Sequence, residues 1–396
     1  MRLTTVLACT AAVVHCSLAL AGPLNPPAGP VAPTAKPLAE LQPRTVINAT
    51  NTPGDASAEF VINQPGSYVL GANVSTAKSI GIRINAANVA IDLSGFEVAT
   101  SNAFGAAMQG EVGKLTVSNG RLVGKYGLWI TLVGAQLSAT DLEVVAETYG
   151  IRGAGPLVAR RCRVFGTGPN TNGLSGTEAS TISECNLLMQ PSTDSTVRAI
   201  VLQRGLVENC VVSGSYTGVQ MGTSGVVRGC QLTGQTGRGV ETNGGVVEGN
   251  SITLAAVSGA VGVKVNASCE VRDNTLVGGE TSGQVGISVT SGNTLVSRNN
   301  VRKFSGNASV GVLVTSAPLG SNGGNKIQDN DLSSNYQQIS VQSGYNLIVR
   351  NTMANTGAGG TLSAAAGNTF GPVVNGSNTD LGGVPLSGHP QANLMY

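Results

Sequence analysis

One short unit repeats four times between residues 207 and 276. It reads Val207-Glu-Asn-Cys-Val-Val212, Val227-Arg-Gly-Cys-Gln-Leu232, Val247-Glu-Gly-Asn-Ser-Ile252 and Val271-Arg-Asp-Asn-Thr-Leu276. Each copy has an apolar residue, two variable positions, a Cys or Asn, one more variable position and a second apolar residue. Self-similarity at a nearly fixed period is typical of a solenoid, in which each repeat buries its apolar face against its neighbours.

A short strand that begins with glycine follows each unit. The four copies are Gly218-Val-Gln-Met221, Gly239-Val-Glu-Thr242, Gly262-Val-Lys-Val265 and Gly286-Ile-Ser-Val289. Apolar residues alternate with period two in these segments, which predicts strands and leaves no room for helices. The Cys/Asn position then predicts about twelve rungs of an all-β parallel β-helix, at Ser94, Gly120, Thr140, Cys162, Cys185, Cys210, Cys230, Asn250, Asn274, Asn299, Asn330 and Asn351.

The composition fits a narrow apolar interior and a neutral surface. Apolar residues make up 41% of the chain, so it is able to bury a core. Charged residues make up only 11%, against about 25% in ordinary globular domains. The net charge of +2 gives no electrostatic footprint for nucleic acid, so we expect no nucleic-acid partner. No apolar run after the N-terminus is long enough to predict a transmembrane segment.

The order of segments predicts an exported protein with one folded body. Residues 1–21 have a basic start, an apolar stretch and a small-residue exit, which is typical of a signal peptide cleaved after Ala21. Residues 22–44 form a proline-rich spacer with a short helical turn. Residues 45–79 are interpreted as N-terminal cap strands, 80–355 as the β-helix and 356–396 as a C-terminal cap and tail. We therefore expect a secreted or cell-surface protein.

The chain resembles secreted bacterial right-handed parallel β-helix proteins of the pectate-lyase-like superfamily. The resemblance rests on the repeated unit and the Gly-Val-x-Val strands, and it covers roughly residues 45 to 355. The ends, at 47–55, 65–68, 367–372 and 389–393, resemble a subset of these secreted proteins. The superfamily contains polysaccharide lyases and hydrolases as well as binding modules, so the resemblance implies a right-handed β-helix without fixing its function.

Four of the cysteines occupy consecutive rungs of the inward column, namely Cys162, Cys185, Cys210 and Cys230. Export permits disulfides, and stacked neighbours lie near the separation that a disulfide requires. A stack of buried free thiols is the alternative, because a free cysteine behaves as a small apolar residue. Cys269 leaves the number of cysteines in the mature chain odd. A zinc site is not expected, since stacked strands do not arrange four sulfurs as a tetrahedron.

Histidine chemistry is almost excluded, because one of the two histidines is His15 in the predicted signal peptide and the other is His389 in the tail. A polysaccharide lyase or hydrolase remains the alternative function. Its candidate catalytic residues are Asp141, Arg163 and Arg121, which the rung alignment places in one outward column. A lyase of this type would use calcium, which requires about six to eight oxygen ligands. No metal site is predicted from the residues themselves.

The strongest binding signal is aromatic. The rung alignment places Tyr126, Trp129, Tyr149 and Arg152 on the outer face of two adjoining rungs. Stacked aromatic rings with polar neighbours are suited to gripping a sugar ring. Packing under a loop is the structural alternative for these side chains. We therefore expect a non-catalytic protein that displays a rigid surface to polysaccharide or cell-surface glycan, and a purely structural module is a further alternative.

Overall fold

The computed structural model describes residues 44–315, 323–354, 357–375 and 390–395. The predicted signal peptide at 1–21 and the predicted spacer up to residue 43 lie outside these residues, as does most of the predicted tail beyond residue 375. The described residues form strands joined by turns and contain no helix. Consequently no helix among them is long and apolar enough to cross a membrane.

The strands wind into a parallel β-solenoid of about fourteen turns. Most strands pair in parallel with the strand three positions further along the chain, so a typical turn contributes one strand to each of three sheets. The predicted all-β right-handed parallel β-helix is therefore confirmed. The strands between residues 58 and 76, which the sequence suggested as a cap, pair in register with the turn that follows them.

Most strands of sheet 1 carry the repeated glycine near their start, and Ala199 or Gln338 takes its place in two of the others. At Gly239 an added Cβ atom would lie 2.5 Å from the carbonyl oxygen of Gly262, so the next turn leaves room only for hydrogen. The strands of sheet 1 are Ala58–Ile62, Ile80–Ile84, Ala106–Gly110, the C-terminal parts of Lys114–Ile130 and Gln136–Gly153, Asn172–Gly176, Arg198–Leu202, Thr217–Met221, Arg238–Thr242, Val261–Val265, Val285–Val289, Val310–Val314, Gln337–Val341 and Gly360–Ala364.

Sheet 2 contains the first half of each repeated unit. Its strands are Thr45–Ile47, Gly66–Leu70, Val89–Asp92, the N-terminal parts of Lys114–Ile130 and Gln136–Gly153, Leu157–Arg160, Ser180–Ser183, Gly205–Glu208, Gly225–Arg228, Gly245–Glu248, Cys269–Arg272, Leu295–Ser297, Lys326–Gln328, Leu347–Val349 and Thr369–Phe370. Two strands bend through the corner that follows, so they belong to more than one sheet.

Sheet 3 contains the second half of each unit, and its strands do not follow chain order at the end. The strand Asn393–Met395 lies between Thr352–Ala354 and Val373–Asn375 and pairs in parallel with both. The earlier strands are Val74–Thr76, Glu97–Thr100, the middle parts of Lys114–Ile130 and Gln136–Gly153, Arg163–Gly166, Asn186–Met189, Val211–Ser213, Gln231–Gln235, Ser251–Leu254, Thr275–Val277, Asn300–Arg302 and Asp331–Ser333.

The corner between sheets 2 and 3 carries the repeated Cys/Asn column as a continuous hydrogen-bonded ladder. Asn274 shows the pattern: its Nδ2 donates to the carbonyl of Val247 at 2.8 Å and to Oδ1 of Asn299 at 3.0 Å. Its Oδ1 accepts from the backbone N–H and the side-chain amide of Asn250, both at 3.0 Å. The ladder therefore satisfies backbone groups that bend away from the sheets at the corner.

The ladder extends to a residue that the repeat pattern did not include. Asn351 donates from its backbone N–H and its side chain to Oδ1 of Asn393, both at 3.1 Å. Asn393 is fully buried and donates in turn to the carbonyl of Ile348 at 3.0 Å. The segment predicted as a trailing tail thus supplies the last rung of this corner.

The predicted ladder register is wrong at two early rungs. Glu143 pairs with both Arg121 and Arg163, which places Leu142 rather than Thr140 beside Cys162. In the same way, Glu97 pairs with Arg121, so Phe96 rather than Ser94 occupies the ladder position. The prediction followed small polar residues, whereas apolar ones fill these two places.

A residue with positive φ turns the chain immediately before most ladder positions. Examples are Asp141 at 53°, Arg161 at 52°, Asp273 at 58° and Arg298 at 54°. Only Asn, Asp and glycine adopt this region readily, so arginine here is uncommon. Some of these corner residues form bidentate ion pairs from one turn to the next. Arg298, for example, donates to both carboxylate oxygens of Asp273 at 2.7 and 2.8 Å.

The cysteines replace the amide donors in the earlier half of the ladder. All five cysteines among the described residues are buried free thiols. The Cys230 thiol lies 3.8 Å from the carbonyl oxygen of Val207. On the next turn the side-chain amide of Asn250 makes the equivalent contact with the carbonyl oxygen of Val227, at 2.9 Å. Of the two alternatives for the column, the structure has the thiol stack.

Cys269 belongs to a second ladder, at the corner that precedes sheet 2. Its position in the next turns is occupied by Thr294 and Asn325, because Glu270 pairs with Leu295 and Leu295 pairs with Lys326. Thr294 N–H donates to Oδ1 of Asn325 at 2.8 Å, and Asn325 N–H donates to Oδ1 of Asn346 at 3.2 Å. The odd cysteine is therefore the thiol member of a separate column.

We expect Asn274→Ala to lower the free energy of unfolding by about 2–4 kcal/mol. The substitution leaves the buried Val247 carbonyl and the Asn250 N–H without partners, and each such group costs about 1–3 kcal/mol. Urea unfolding followed by circular dichroism measures the change. Thr275→Ala, at the adjacent outward position, is the matched control and should have a much smaller effect. Equal effects of the two substitutions would show that the ladder adds nothing.

We expect the five described cysteines to resist alkylation in the folded protein. Burial raises the pKa of the Cys269 thiol to about 12. Hydrogen bonds with the Cys162 and Cys210 thiols, together with burial, raise the pKa of Cys185. All five sulfurs are buried, so the reagent does not reach them in the folded protein and labelling with iodoacetamide should require unfolding. Mass spectrometry before and after denaturation in urea maps each site, and rapid labelling of the native protein would contradict the expectation.

Candidate functional site

Sheet 1 brings the four predicted binding residues together on its outer face. Tyr149 pairs with Tyr126, and Arg152 pairs with Trp129, so the four side chains lie on two neighbouring turns. All four are half-buried. We call this group the aromatic platform.

The rings of the aromatic platform stack on each other. The ring centroids of Tyr126 and Trp129 are 4.6 Å apart at an interplanar angle of 25°. Those of Tyr126 and Tyr149 are 6.0 Å apart at 16°. The guanidinium of Arg152 lies 4.5 Å from the centroid of Tyr149. Such stacking holds the rings in fixed orientations and adds to the stability of each pair.

The glycines of sheet 1 explain why the aromatic residues emerge three positions apart. Gly127 and Leu128 are both buried, so Tyr126 and Trp129 flank an inward pair and both reach the outer face. At Gly150 a Cβ atom would lie 2.5 Å from the carbonyl oxygen of Gly173. A larger residue there would push the strand away from its neighbour and tilt the Tyr149 ring.

Polar side chains that the sequence analysis did not single out surround the aromatic platform. Gln109 pairs with Trp129 on the preceding turn, and Asn172 and Ser175 pair with Tyr149 and Arg152 on the following one. Finding these neighbours requires the register between turns, which varies with the length of the connecting loops. The platform thus has hydrogen-bonding groups on both sides along the solenoid axis.

A polar cavity of about 190 Å³ adjoins the aromatic platform through Gln109. Arg83, Asn85, Gln109 and Glu111 line it with donors and acceptors. The Arg83 guanidinium is held by Asp55 at 2.5 Å, which fixes its orientation. Rigid aromatic surface beside convergent polar groups is the usual composition of a small-molecule or saccharide site.

A second cation–π contact extends the aromatic surface toward the neighbouring corner. The Lys125 ammonium lies 4.4 Å from the centroid of Phe104. Phe104 is 76% exposed, which is unusual for a large apolar side chain. Lys125 directly precedes Tyr126, so this cation–π pair borders the aromatic platform.

The structure does not bring Asp141, Arg163 and Arg121 together as the outward column predicted. Glu143, not Asp141, lies between the two arginines, because the register differs from the prediction by two residues. Arg121 forms ion pairs with Glu97 and Glu143. Arg163 instead lies over the Phe165 ring, 5.2 Å from its centroid.

Asp141 is held by a different arginine. Both of its carboxylate oxygens accept hydrogen bonds from Arg161, at 2.7 Å each. These bonds hold the pKa of Asp141 below its usual value. The carboxylate is thus ionised and fully engaged, an arrangement suited to fixing the corner rather than to accepting a proton from a substrate.

Metal-ligating side chains do not cluster in the described ranges. No group of three or more His, Cys, Asp or Glu residues there is arranged to hold a metal ion. The four stacked cysteines follow the solenoid axis in a line, which differs from the tetrahedral geometry of a zinc site.

No protein-family model matches the chain, and no curated protein or solved structure matches it. The resemblance to the pectate-lyase-like superfamily therefore rests on the solenoid alone, which is the part that the structure supports.

We expect Asp141→Asn to make stability less sensitive to acid. The pKa of Asp141 is lowered in the folded protein, while an unfolded aspartate titrates near about 3.9. The fork to Arg161 therefore stabilises the fold above about pH 4 and is lost as the pH falls through the lowered pKa. Urea midpoints measured from about pH 5 down to about pH 2 should fall less steeply in the variant than in the parent chain.

Arg161→Gln tests the same fork from the other side. Without the guanidinium, the pKa of Asp141 should return toward its usual value, so this variant should show a similarly shallow pH profile. Profiles as steep as that of the parent chain in both variants would show that the fork does not stabilise the folded state.

Proposed function

We propose that this protein is a secreted, non-catalytic β-helix that binds carbohydrate on the outer face of sheet 1. The observation that carries the proposal is the aromatic platform of Tyr126, Trp129, Tyr149 and Arg152, stacked across two turns. The sugar ring stacks on the exposed part of the platform, and its hydroxyls bond to the polar groups alongside. Polysaccharide or cell-surface glycan is the proposed partner.

The rigidity of the support favours binding. The side chains project from strands that pair on both sides, so little conformational freedom is lost when a ligand is bound. Polar partners are already oriented, since Arg83 is held by Asp55 and lines the cavity next to Gln109. A preorganised surface of this kind suits repeated weak contacts with a long polymer.

Two features favour binding over cleavage. The carboxylate of Asp141 is occupied by Arg161 on both oxygens. Arg152 forms no ion pair within the described residues and rests on an aromatic ring, so it is available as a hydrogen-bond donor to a ligand. The platform itself contains no carboxylate, and glycosidases of the usual kind need two across the scissile bond.

The first test is a screen of the purified chain against a glycan array and soluble polysaccharides. Trp129 is the single tryptophan of the chain, so its intrinsic fluorescence reports ligand contact at the platform directly. Ultraviolet absorbance of unsaturated products, with and without calcium, is recorded in parallel. Calcium-dependent product would overturn the non-catalytic proposal.

We expect Trp129→Ala to weaken binding to the best array hit by about tenfold or more, and Tyr149→Ala to act in the same direction. Loss of one stacking ring removes about 1–3 kcal/mol in well-buried aromatic contacts. Tyr345→Ala is the matched control, because Tyr345 is 82% exposed and lies in the bend between Gln337–Val341 and Leu347–Val349, away from the platform. Isothermal titration calorimetry provides the affinities. Unchanged affinity in both platform variants would place the site elsewhere.

A further inference from the structure

Sheet 3 presents an apolar stripe on its outer face. Five successive turns place apolar side chains at one outward position, and the next turns place Ser213 and Thr233 there. Leu188 at the end of the stripe is 50% exposed. The members of the apolar stripe are Ala99, Val123, Val145, Phe165 and Leu188.

An alternating column of charges runs beside the apolar stripe. The outward position two residues earlier is occupied on four successive turns by Glu97, Arg121, Glu143 and Arg163. Arg121 bridges its two neighbouring glutamates within the chain. Arg163 forms no ion pair in the described part of the chain and is exposed. We call these four residues the charged column.

The charged column is complementary in charge to the same column of a second copy that runs in the opposite direction. A two-fold axis parallel to the strands, placed between the turns of Arg121 and Glu143, inverts the order of the turns and keeps each column opposite itself. Glu97 then faces Arg163 of a second copy, and Arg121 faces Glu143. A two-fold axis along the solenoid would instead set like charges against each other when the columns coincide.

The same two-fold axis also brings side chains of compatible size in the two apolar stripes opposite each other. Val123 faces Val145 of the second copy, and the small Ala99 faces the large Phe165. Sheets that pack face to face lie about 10 Å apart and require this kind of interdigitation. A two-fold interface also requires that one patch complement itself, which both columns do.

We propose that sheet 3 is the docking surface for a second copy of this chain, in an antiparallel two-fold dimer centred between Val123 and Val145. The apolar stripe spans four steps of about 4.8 Å, or roughly 19 Å. A stable interface buries about 800 Å² per partner, and the apolar stripe and the charged column together cover less than that. The dimer is therefore weak and dissociates on dilution. The platform on sheet 1 stays free in both copies.

Sedimentation equilibrium of the purified chain over a range of concentrations tests the proposal. We expect reversible dimerisation, and Val145→Lys should raise the dissociation constant by about tenfold or more because it places a charge at the centre of the apolar contact. Thr253→Lys, at the same outward position further along sheet 3, should leave the dissociation constant unchanged. Urea midpoints confirm that both variants fold.

A charge swap provides an independent arm. Glu143→Arg should weaken the dimer by setting like charges against Arg121 of the second copy. The double change Arg121→Glu with Glu143→Arg should restore much of the affinity, because the introduced glutamate then faces the introduced arginine. Failure of the double change to restore association would overturn the two-fold arrangement.

Two other results would overturn the proposal as a whole. One is a chain that stays monomeric at every concentration; protection of Leu188→Cys from labelling in that monomer would show that another segment of the chain covers the apolar stripe. The other is a dimer that neither Val145→Lys nor Glu143→Arg weakens, which would place the interface on a different face.

Discussion

The corner between sheets 2 and 3 depends on side-chain hydrogen bonds that replace those the bending backbone loses. A residue in the left-handed region turns the chain, and the next side chain accepts an N–H from the turn before and donates to a backbone carbonyl, as at Asn274. Buried backbone groups without partners are costly, so the turns from Cys162 onward use such a side chain, whereas apolar Phe96 and Leu142 fill the position in earlier turns. Thiols serve in the earlier turns as weaker donors, and amides take over from Asn250 onward. The three flat sheets are possible because the corners are satisfied in this way.

The ladders provide the hydrogen-bond partners of the interior and the apolar columns fill it. The residues at outward positions can therefore differ from one sheet to another. Sheet 1 uses that freedom for aromatic rings and polar partners around Trp129, and sheet 3 uses it for apolar side chains beside Glu143. Both groups fall on the same early turns, between about residues 97 and 190. One end of the solenoid therefore carries most of the surface chemistry described, while the turns from Asn250 to Asn351 carry the amide ladder.

The sequence was sufficient for the architecture because the buried positions repeat, and a position such as Val212 or Leu232 has no alternative to the interior. It also located the aromatic platform, since Gly127 and Gly150 mark the two strands of sheet 1 that carry it. It failed where the register depends on loop length. Thr140 was aligned with Cys162 because both are small, whereas backbone pairing puts Leu142 there. Gln109 escaped notice for the same reason, and Asn393 because a long connection separates it from Asn351.

The insertion of Asn393–Met395 between two other strands has a mechanical consequence. In most solenoids the terminal strand forms an edge, so a force applied at that end opens one row of hydrogen bonds at a time. Here the last strand is bonded on one side to Thr352–Ala354 and on the other to Val373–Asn375. Tension on the C-terminus loads both rows together and also the buried Asn351 to Asn393 bonds. A pull on Asn393–Met395 must therefore break both rows before the turns that precede it are loaded, so this strand acts as a latch against stepwise unravelling.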